Sequence, residues 1–214
     1  QEGTPDQSGN DRSRFGMVLL WTWCRSRQLF LPRVWQCHGG VGMSRALLLG
    51  AGNNRKLKMG VGIEPVPTDI VALDMDAATN PDILWDLEQR PWPVLDSDFD
   101  QVHAYEVLEH LGRQGDWRGF FDDFAEIYRI LKPGGYLVFS CPLPESVWAW
   151  GDPGHTRIIS IESLTFLDQD NYAQVGTTPM TDYRGYWKGN LKLVGSQKTA
   201  HNLFAILQAV KRWP

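Results

Sequence analysis

The feature that most constrains the fold is an apolar run that leads directly into a glycine-rich turn, Arg45–Asn54. Residues Ala46–Leu49 are followed at once by Gly50, Ala51 and Gly52 and then by two asparagines. A short, continuous apolar run is typical of a strand that is buried on both faces of a parallel sheet. Glycines allow the backbone to turn sharply and to approach a ligand closely. Because ligands bind at the carboxyl ends of such strands, the turn is predicted to bind a cofactor.

Two acidic residues follow later predicted strands and extend this site. Ile70–Leu73 is predicted to be the second strand and leads into Asp74, and Ile83–Trp85 is predicted to be the third and leads into Asp86. An acid at the end of the second strand is placed to hydrogen-bond ribose hydroxyls. Asp86 could accept a hydrogen bond from an adenine amino group. The alternative is that each is a surface or turn acid, such as a helix cap.

The remaining pattern alternates strands with a helix and predicts an α/β fold. A fourth strand, Gln101–Tyr105, runs into a helical turn over residues 106–110, and a fifth strand is predicted at Tyr136–Cys141. Between them a helix is predicted to begin after Asp116 and to end before the Lys-Pro-Gly-Gly stretch at 132–135. Its apolar residues recur at helical spacing: Trp117, Phe120, Phe121, Phe124, Ile127 and Leu131. We interpret these as core residues and the whole as a doubly wound sheet.

Composition limits the possible partners. The chain has 214 residues and a net charge of −4, so no basic field indicates nucleic-acid binding. Its three cysteines lack metal-ligand spacing, so no metal is predicted, and they favour a reducing, cytoplasmic compartment. No apolar stretch reaches the ~18 residues that a membrane span needs. A monomer or homodimer is expected.

The first 42 residues differ from the rest of the chain. They contain five arginines against three acidic residues, so the remainder carries a charge of −6. We interpret residues 1–42 as an N-terminal extension that is poorly ordered or not native, and residues 43–214 as the domain, with Met43 just before the first strand. The alternative is a helix over residues 15–31 that packs on the domain.

Six motifs, in this order, resemble those of class I S-adenosylmethionine-dependent methyltransferases, in particular their small single-domain branch. They are Leu49-Gly-Ala-Gly-Asn-Asn54, Ala72-Leu-Asp-Met-Asp76, Trp85-Asp-Leu87, Phe99-Asp100, Glu106-Val-Leu-Glu-His-Leu111 and Leu131-Lys-Pro-Gly-Gly-Tyr-Leu137. The resemblance covers residues 45–141 and continues more weakly to the end of the chain. It implies a Rossmann-like, mostly parallel seven-stranded sheet that ends in an antiparallel strand pair, at 191–195 and 203–210.

The resemblance also implies S-adenosylmethionine as the cofactor and assigns its contacts. The glycine loop would hold the methionine half, the acid after the second strand the ribose, and the Asp-Leu pair after the third strand the adenine. The end of the fourth strand would face the transferring methyl group. The predicted cofactor-binding residues are Gly50, Ala51, Gly52, Asn53, Asp74, Met75, Asp86, Leu87, Tyr105 and Glu106.

Two residues depart from related patterns. Many members of this class carry an acid two residues before the first glycine, where this chain has Leu48. Glu106 or a backbone carbonyl would then hold the methionine amino group. The third glycine of a dinucleotide-binding Gly-x-Gly-x-x-Gly motif is Arg55 here, which argues against a nicotinamide enzyme.

The acceptor site is predicted after the fifth strand. Residues 142–150 are expected to form a loop, with Trp148 and Trp150 as pocket walls. His155 could act as a general base, and Arg157 could bind an acceptor anion. The alternative is a structural polar cluster of these two residues with Asp152.

We therefore predict an S-adenosylmethionine-dependent methyltransferase that acts on a small-molecule acceptor. Its predicted catalytic residues are His155, Glu106 and Arg157, and cation–π contact with the sulfonium is predicted for Tyr105 or Trp150. A non-catalytic cofactor-binding or interaction module of the same fold is the alternative, and a nicotinamide-dependent oxidoreductase ranks third.

Overall fold

The computed structural model describes residues 44–58 and 63–211, which build one seven-stranded sheet. Its strands are β1 (Arg45–Leu49), β2 (Asp69–Asp74), β3 (Ile83–Leu84), β4 (Phe99–Tyr105), β5 (Leu131–Pro142), β6 (Leu191–Lys198) and β7 (Asn202–Ala209). The strand order is β3-β2-β1-β4-β5-β7-β6. The first five strands pair in parallel, and β7 is antiparallel to both β5 and β6. The predicted fold class and its antiparallel C-terminal pair are confirmed.

The predicted N-terminal extension, residues 1–42, and Met43 lie outside the described residues, so the proposed division of the chain stays a prediction. Within the described ranges, no helix is long and apolar enough to cross a membrane.

Helices are few in the part of the chain that the structure describes. They are α1 (Trp117–Ile130), α2 (Val147–Gly151) and α3 (Ile161–Leu164), with short 3-10 turns at Ala77–Thr79, Leu108–His110, Thr165–Leu167 and Gln169–Gln174. Asp116 caps α1 as predicted, since its carboxylate accepts a hydrogen bond from the Gly119 N–H at 3.0 Å. The helix buries Phe121, Phe124 and Ile127 in the core, as predicted, whereas Trp117 and Phe120 are only half-buried and Leu131 already belongs to β5.

Two local predictions are wrong. Residues 142–150 are not all loop, because α2 begins at Val147, where the Ser146 hydroxyl accepts a hydrogen bond from the Trp148 N–H. Strand β5 begins at Leu131 rather than at Tyr136. Leu131 pairs with Phe99 across an irregularity in the strand, and the regular ladder resumes at Tyr136.

A column of polar side chains runs along one face of β4, the central strand. His103 is fully buried, and its Nδ1 lies 2.7 Å from the Tyr105 hydroxyl, while its Nε2 lies 2.8 Å from Gln101 Oε1. The Tyr105 hydroxyl accepts a hydrogen bond from the Lys58 N–H at 3.0 Å, and Gln101 Nε2 donates to the Pro65 carbonyl at 2.9 Å. Tyr105 can therefore donate to Nδ1, so that Nε2 carries the proton and donates to Gln101. This column ties the segment after the glycine loop to the centre of the sheet.

The column accommodates a neutral His103, and burial lowers the pKa of His103 from 6.5 to about 4. Between these two pH values the unfolded chain binds more protons than the folded chain. The free energy of unfolding therefore has its full contribution from neutral His103 above pH 6.5. As the pH falls towards 4, this contribution is lost, by up to about 3 kcal/mol. We expect His103→Gln, which can both accept and donate along the column, to remove this part of the acid sensitivity.

The measurement is the free energy of unfolding in urea at several pH values between 4 and 7. The control is His201→Gln, because His201 is exposed. An unchanged pH dependence in His103→Gln would contradict the assignment.

Candidate functional site

A groove of about 460 Å³ lies at the carboxyl ends of β1, β2, β3 and β4. Parallel strands that pair nearly in register end at the same edge of a sheet, so the residues after each strand meet there. Six of the predicted cofactor-binding residues line this groove: Gly50, Asp74, Met75, Asp86, Leu87 and Glu106. Ala51, Gly52, Asn53 and Tyr105 belong to the same loop and strand end but do not line it.

The glycine loop takes a backbone conformation that other residues adopt at a cost. Gly50 and Gly52 have φ angles of +56° and +53°. A Cβ atom on Gly50 would lie 2.6 Å from Val107 Cγ2, whereas nothing lies within 4 Å of one on Gly52. Gly50 is therefore required by close packing as well as by φ.

Asp74 fixes the shape of this loop. Its Oδ2 accepts a hydrogen bond from the Gly52 N–H at 2.7 Å, and its Oδ1 accepts one from the Asp76 N–H at 2.9 Å. A carboxylate oxygen has a second lone pair, so each oxygen can still accept a bond from a ligand hydroxyl. Asp74 thus joins the end of β2 to the loop after β1.

The position where related proteins carry an acid lies in an apolar environment here. Leu48 is buried and packs with Ala51, Ala72 and Tyr105, and Leu57 covers the group from outside. A leucine side chain at this position cannot hold an ammonium group, so another group must do so.

Glu106, directly after β4, has the backbone conformation of a constrained site. Its φ is +58°, which is uncommon for a residue other than glycine, asparagine or aspartate. Its Oε1 accepts hydrogen bonds from Ser140 Oγ at 2.5 Å and from Asn202 Nδ2 at 2.8 Å. Residues from β5 and β7 therefore hold this carboxylate at the edge of the groove. Backbone strain of this kind concentrates at functional sites.

A second segment, residues 152–158, is fastened to the turn after β4. The Glu109 carbonyl accepts hydrogen bonds from the N–H groups of Thr156 at 2.9 Å and Arg157 at 3.1 Å, and the Thr156 carbonyl accepts one from the Gln114 N–H at 2.8 Å. These bonds bring His155 against His110, with ring centroids 4.7 Å apart.

The structure separates His155 from Arg157, which sequence analysis grouped in one acceptor site. His155 is turned towards the turn after β4. Its Nδ1 lies 2.9 Å from the Trp148 carbonyl, and its Nε2 lies 3.8 Å from Asp152 Oδ2 and 4.0 Å from Glu109 Oε1. It does not line the groove, whereas His110 does.

Arg157 is buried in a salt bridge on α1. Its Nη2 donates to Asp123 Oδ2 at 2.7 Å and to the Leu111 carbonyl, and Arg90 binds the other oxygen of Asp123. Arg157 also lines a separate cavity of about 310 Å³, together with Trp117, Phe120 and other residues. The catalytic roles of His155 and Arg157 stay predictions, and the two side chains do not share one polar cluster, since Arg157 binds Asp123 and His155 lies near Asp152.

Trp148 and Trp150, the predicted pocket walls, are 61% and 72% exposed on α2. The Trp150 Nε1–H donates to the Pro144 carbonyl at 2.9 Å. Neither tryptophan lines the two cavities above, so both rings face outwards beside the segment that carries His155.

Glu109 is a further residue beside the groove, and it was not among the predicted site residues. It is 2% exposed, and among the described residues neither of its carboxylate oxygens has a hydrogen-bond partner. Burial, together with the negative charges of Glu106 and Asp152, raises the pKa of Glu109 to about 8. The sequence shows Glu109 only as one letter of a motif, because its burial depends on residues 152–158.

The match to a family model agrees with this geometry. Residues 40–139, which span the glycine loop and most of β5, match a family described as a methyltransferase domain. No curated protein sequence matches the chain significantly.

Solved methyltransferase structures are similar to this chain. A SAM-dependent methyltransferase from Archaeoglobus fulgidus is 15% identical and has a TM-score of 0.51, with 78% of this chain and 86% of that chain covered. An S-adenosylmethionine-dependent methyltransferase from Mesorhizobium loti is 14% identical, with a TM-score of 0.49 and coverages of 78% and 92%. The N-methyltransferase NodS from Bradyrhizobium japonicum, in complex with S-adenosylhomocysteine, is 18% identical, with a TM-score of 0.46 and coverages of 78% and 79%.

The chain thus matches a methyltransferase domain over residues 40–139, and its described residues form a Rossmann-like sheet. Both findings support the sequence-based prediction of a class I S-adenosylmethionine-dependent methyltransferase and of its cofactor.

The contact at Gly50 leads to a prediction that a matched pair of variants can test. Gly50→Ala and Gly52→Ala both place an alanine at a positive φ, which costs about 1–2 kcal/mol. Only Gly50→Ala also forces a Cβ against Val107, so we expect it to lower the free energy of unfolding by a further 1–3 kcal/mol, roughly.

Urea unfolding of the two variants measures the difference, and Val107→Ala combined with Gly50→Ala should recover most of it. Equal destabilisation by the two glycine variants would show that the Val107 contact has no energetic weight.

Proposed function

We propose that the enzyme binds S-adenosylmethionine in the groove at the carboxyl ends of β1 to β4 and transfers its methyl group to a small-molecule acceptor. The observation that carries the proposal is the convergence of six candidate residues, from four strand ends, on one groove. Among the cavities described above, this one combines the glycine loop with an acid after β2 and an acid after β3.

The assignment of contacts follows from the chemistry of each end of the groove. Asp74 offers carboxylate oxygens to the two ribose hydroxyls, in addition to the bonds that it makes to the loop. Met75 is 72% exposed and Leu87 is buried, so the two offer apolar surface to an adenine ring, with Asp86 near its amino group. The methionine half then lies along Gly50, towards Glu106.

Glu106 is proposed to hold the ammonium group of the cofactor's methionine half. Leu48, at the end of β1, cannot bind an ammonium group, because its side chain is apolar. Glu106 is a carboxylate that lines the groove. Its Oε1 accepts hydrogen bonds from Ser140 and Asn202, and its Oε2 is the oxygen that would bind the ligand. A carboxylate fixed on one side in this way is already oriented before a ligand arrives.

Methyl transfer needs little chemistry from the protein, since the sulfonium already activates the methyl group. The enzyme must align the acceptor atom with the carbon–sulfur bond, and such alignment can supply much of the rate. An acceptor that is protonated at neutral pH also needs a proton acceptor near the groove, for which Glu106, Glu109 and His155 are the candidates.

A small-molecule acceptor is supported by charge. The chain is net negative, and the groove itself is lined by Asp86 and Glu88, which would repel a polyanion. The exposed rings of Trp148 and Trp150 offer apolar faces to an acceptor with an apolar or aromatic part.

Binding of S-adenosylhomocysteine tests the assigned contacts. Asp74→Asn and Glu106→Gln should each weaken binding about tenfold to a hundredfold, because each removes a charge-assisted hydrogen bond to the ligand. Isothermal titration calorimetry gives the dissociation constants, and circular dichroism confirms that the variants are folded.

Asp76→Asn is the matched control, since Asp76 lies two residues further on, is exposed and caps a 3-10 turn outside the groove. An Asp74→Asn variant that binds as tightly as the wild type would refute the ribose contact. A wild type that binds no S-adenosylhomocysteine would refute the site.

The acceptor class is tested by transfer of a labelled methyl group. We expect the label to pass from S-adenosylmethionine into a cell-extract fraction that contains only small molecules, and not into RNA, DNA or protein fractions. Label in a macromolecular fraction would contradict the acceptor class. Binding of S-adenosylhomocysteine with no transfer to any fraction would favour the non-catalytic alternative.

A further inference from the structure

Three potential metal ligands meet beside the groove, and the proposed function does not use them together. Glu109, His110 and His155 each offer one ligand atom, and these atoms all lie within 4.8 Å of one another. Two of the residues come from the turn after β4 and the third from residues 152–158, which the backbone bonds of Glu109 hold in place.

The histidine tautomers suit metal binding. Nδ1 of His110 lies 3.0 Å from the Gly154 carbonyl, and Nδ1 of His155 lies 2.9 Å from the Trp148 carbonyl. A carbonyl oxygen can only accept, so in each ring Nδ1 carries the hydrogen and Nε2 keeps its lone pair. Backbone carbonyls orient metal-binding histidines in this way in known sites.

The third group, Glu109, is a buried carboxyl group without a hydrogen-bond partner in the part of the chain that the structure describes. Both of its carboxylate oxygens are buried without a hydrogen-bond partner among the described residues. A buried polar group without a partner needs an explanation, and an ion that the group coordinates is one. Glu106 and Asp152 are acidic neighbours of Glu109, and a cation would offset the repulsion among these carboxylates.

The distances between the three ligand atoms are close to those that a bound metal ion requires, so the side chains would need to move only slightly. Glu109 Oε1 and His155 Nε2 are 4.0 Å apart. Two ligand atoms about 2.0–2.1 Å from one zinc ion are roughly 3.3–4.1 Å apart, depending on the angle between them.

We propose that Glu109, His110 and His155 bind a divalent transition-metal ion, such as Zn²⁺, Mn²⁺ or Co²⁺. Two imidazole nitrogens and one carboxylate oxygen are a ligand set that these ions accept. This departs from the sequence-based expectation of no metal, which considered only cysteine spacing.

The ion would lie at the rim of the groove, because His110 and Glu106 also line it. Three protein ligands leave at least one coordination position open, as in catalytic zinc sites. An oxygen of the acceptor could occupy that position and would be polarised there. The site would then favour acceptors with a hydroxyl or carboxylate oxygen next to the methylated atom.

The test uses the full chain, stripped with a chelator and titrated with Co²⁺ alone. Calorimetry and visible absorption should show one equivalent bound through nitrogen and oxygen ligands. Glu109→Gln, His110→Gln and His155→Gln should each weaken Co²⁺ binding about tenfold or more. His201→Gln, a change at an exposed histidine outside the cluster, should leave binding unchanged.

A wild type that binds no Co²⁺ overturns the proposal, whatever the variants do. Co²⁺ binding that is unchanged in all three cluster variants also overturns it. So does a sulfur-to-cobalt charge-transfer band that disappears in the double variant Cys24→Ser, Cys37→Ser, because cysteines would then be the ligands. A rise in the wild-type melting temperature with Co²⁺ that is absent in a folded His155→Gln variant supports it. Binding of S-adenosylhomocysteine, measured on the same samples, reports separately on the proposed function.

Discussion

The parallel pairing of β1 between β2 and β4 is the constraint on which the site depends. Leu49, the last residue of β1, pairs with Leu73 on one side and with Ala104 on the other. The three strands therefore end within a residue or two of one another, at one edge of the sheet. Hydrogen bonding between parallel strands is evenly spaced, so the chain cannot shift one strand end without losing the ladder. The glycine loop, Asp74 and Glu106 meet for this reason.

The residues that follow these strands are held by bonds among themselves. Asp74 binds the glycine loop through Gly52, and Ser140 and Asn202 bind Glu106. These contacts join the ends of β2, β5 and β7 to the groove. A site whose polar groups are already oriented loses less freedom when a ligand binds. The polar column of β4 contributes to the same end, since it fixes the segment that follows the glycine loop.

The turn after β4 serves two surfaces at once. On one side, Glu106 and His110 line the groove; on the other, Glu109 faces inwards, towards His155. The same turn presents its backbone carbonyl to residues 152–158 and so determines where that segment lies. His155 and Arg157 are two residues apart on this segment, but their side chains have different partners: His155 lies by Trp148 and Glu109, and Arg157 binds Asp123. This geometry separates a histidine beside the groove from an arginine in the salt bridge with Asp123.

The sequence by itself determined the order and type of most elements and the class of protein. The apolar runs, the glycines and the aromatic spacing of α1 are local patterns, and local patterns predict strands, turns and helices. The short helix α2 was missed, because a five-residue helix has too few residues for a periodic pattern and depends on the Ser146 cap.

Only the tertiary structure decided which side chains share a site. It placed Leu48 in an apolar cluster, buried Arg157 on Asp123, and brought Glu109 and His110 to His155 from a distant part of the chain. The physical reason is that burial and pairing depend on contacts between residues far apart in sequence, which no local pattern records. A glutamate in a short motif looks the same whether it faces water or lies between two imidazoles. The fold alone distinguishes the two cases.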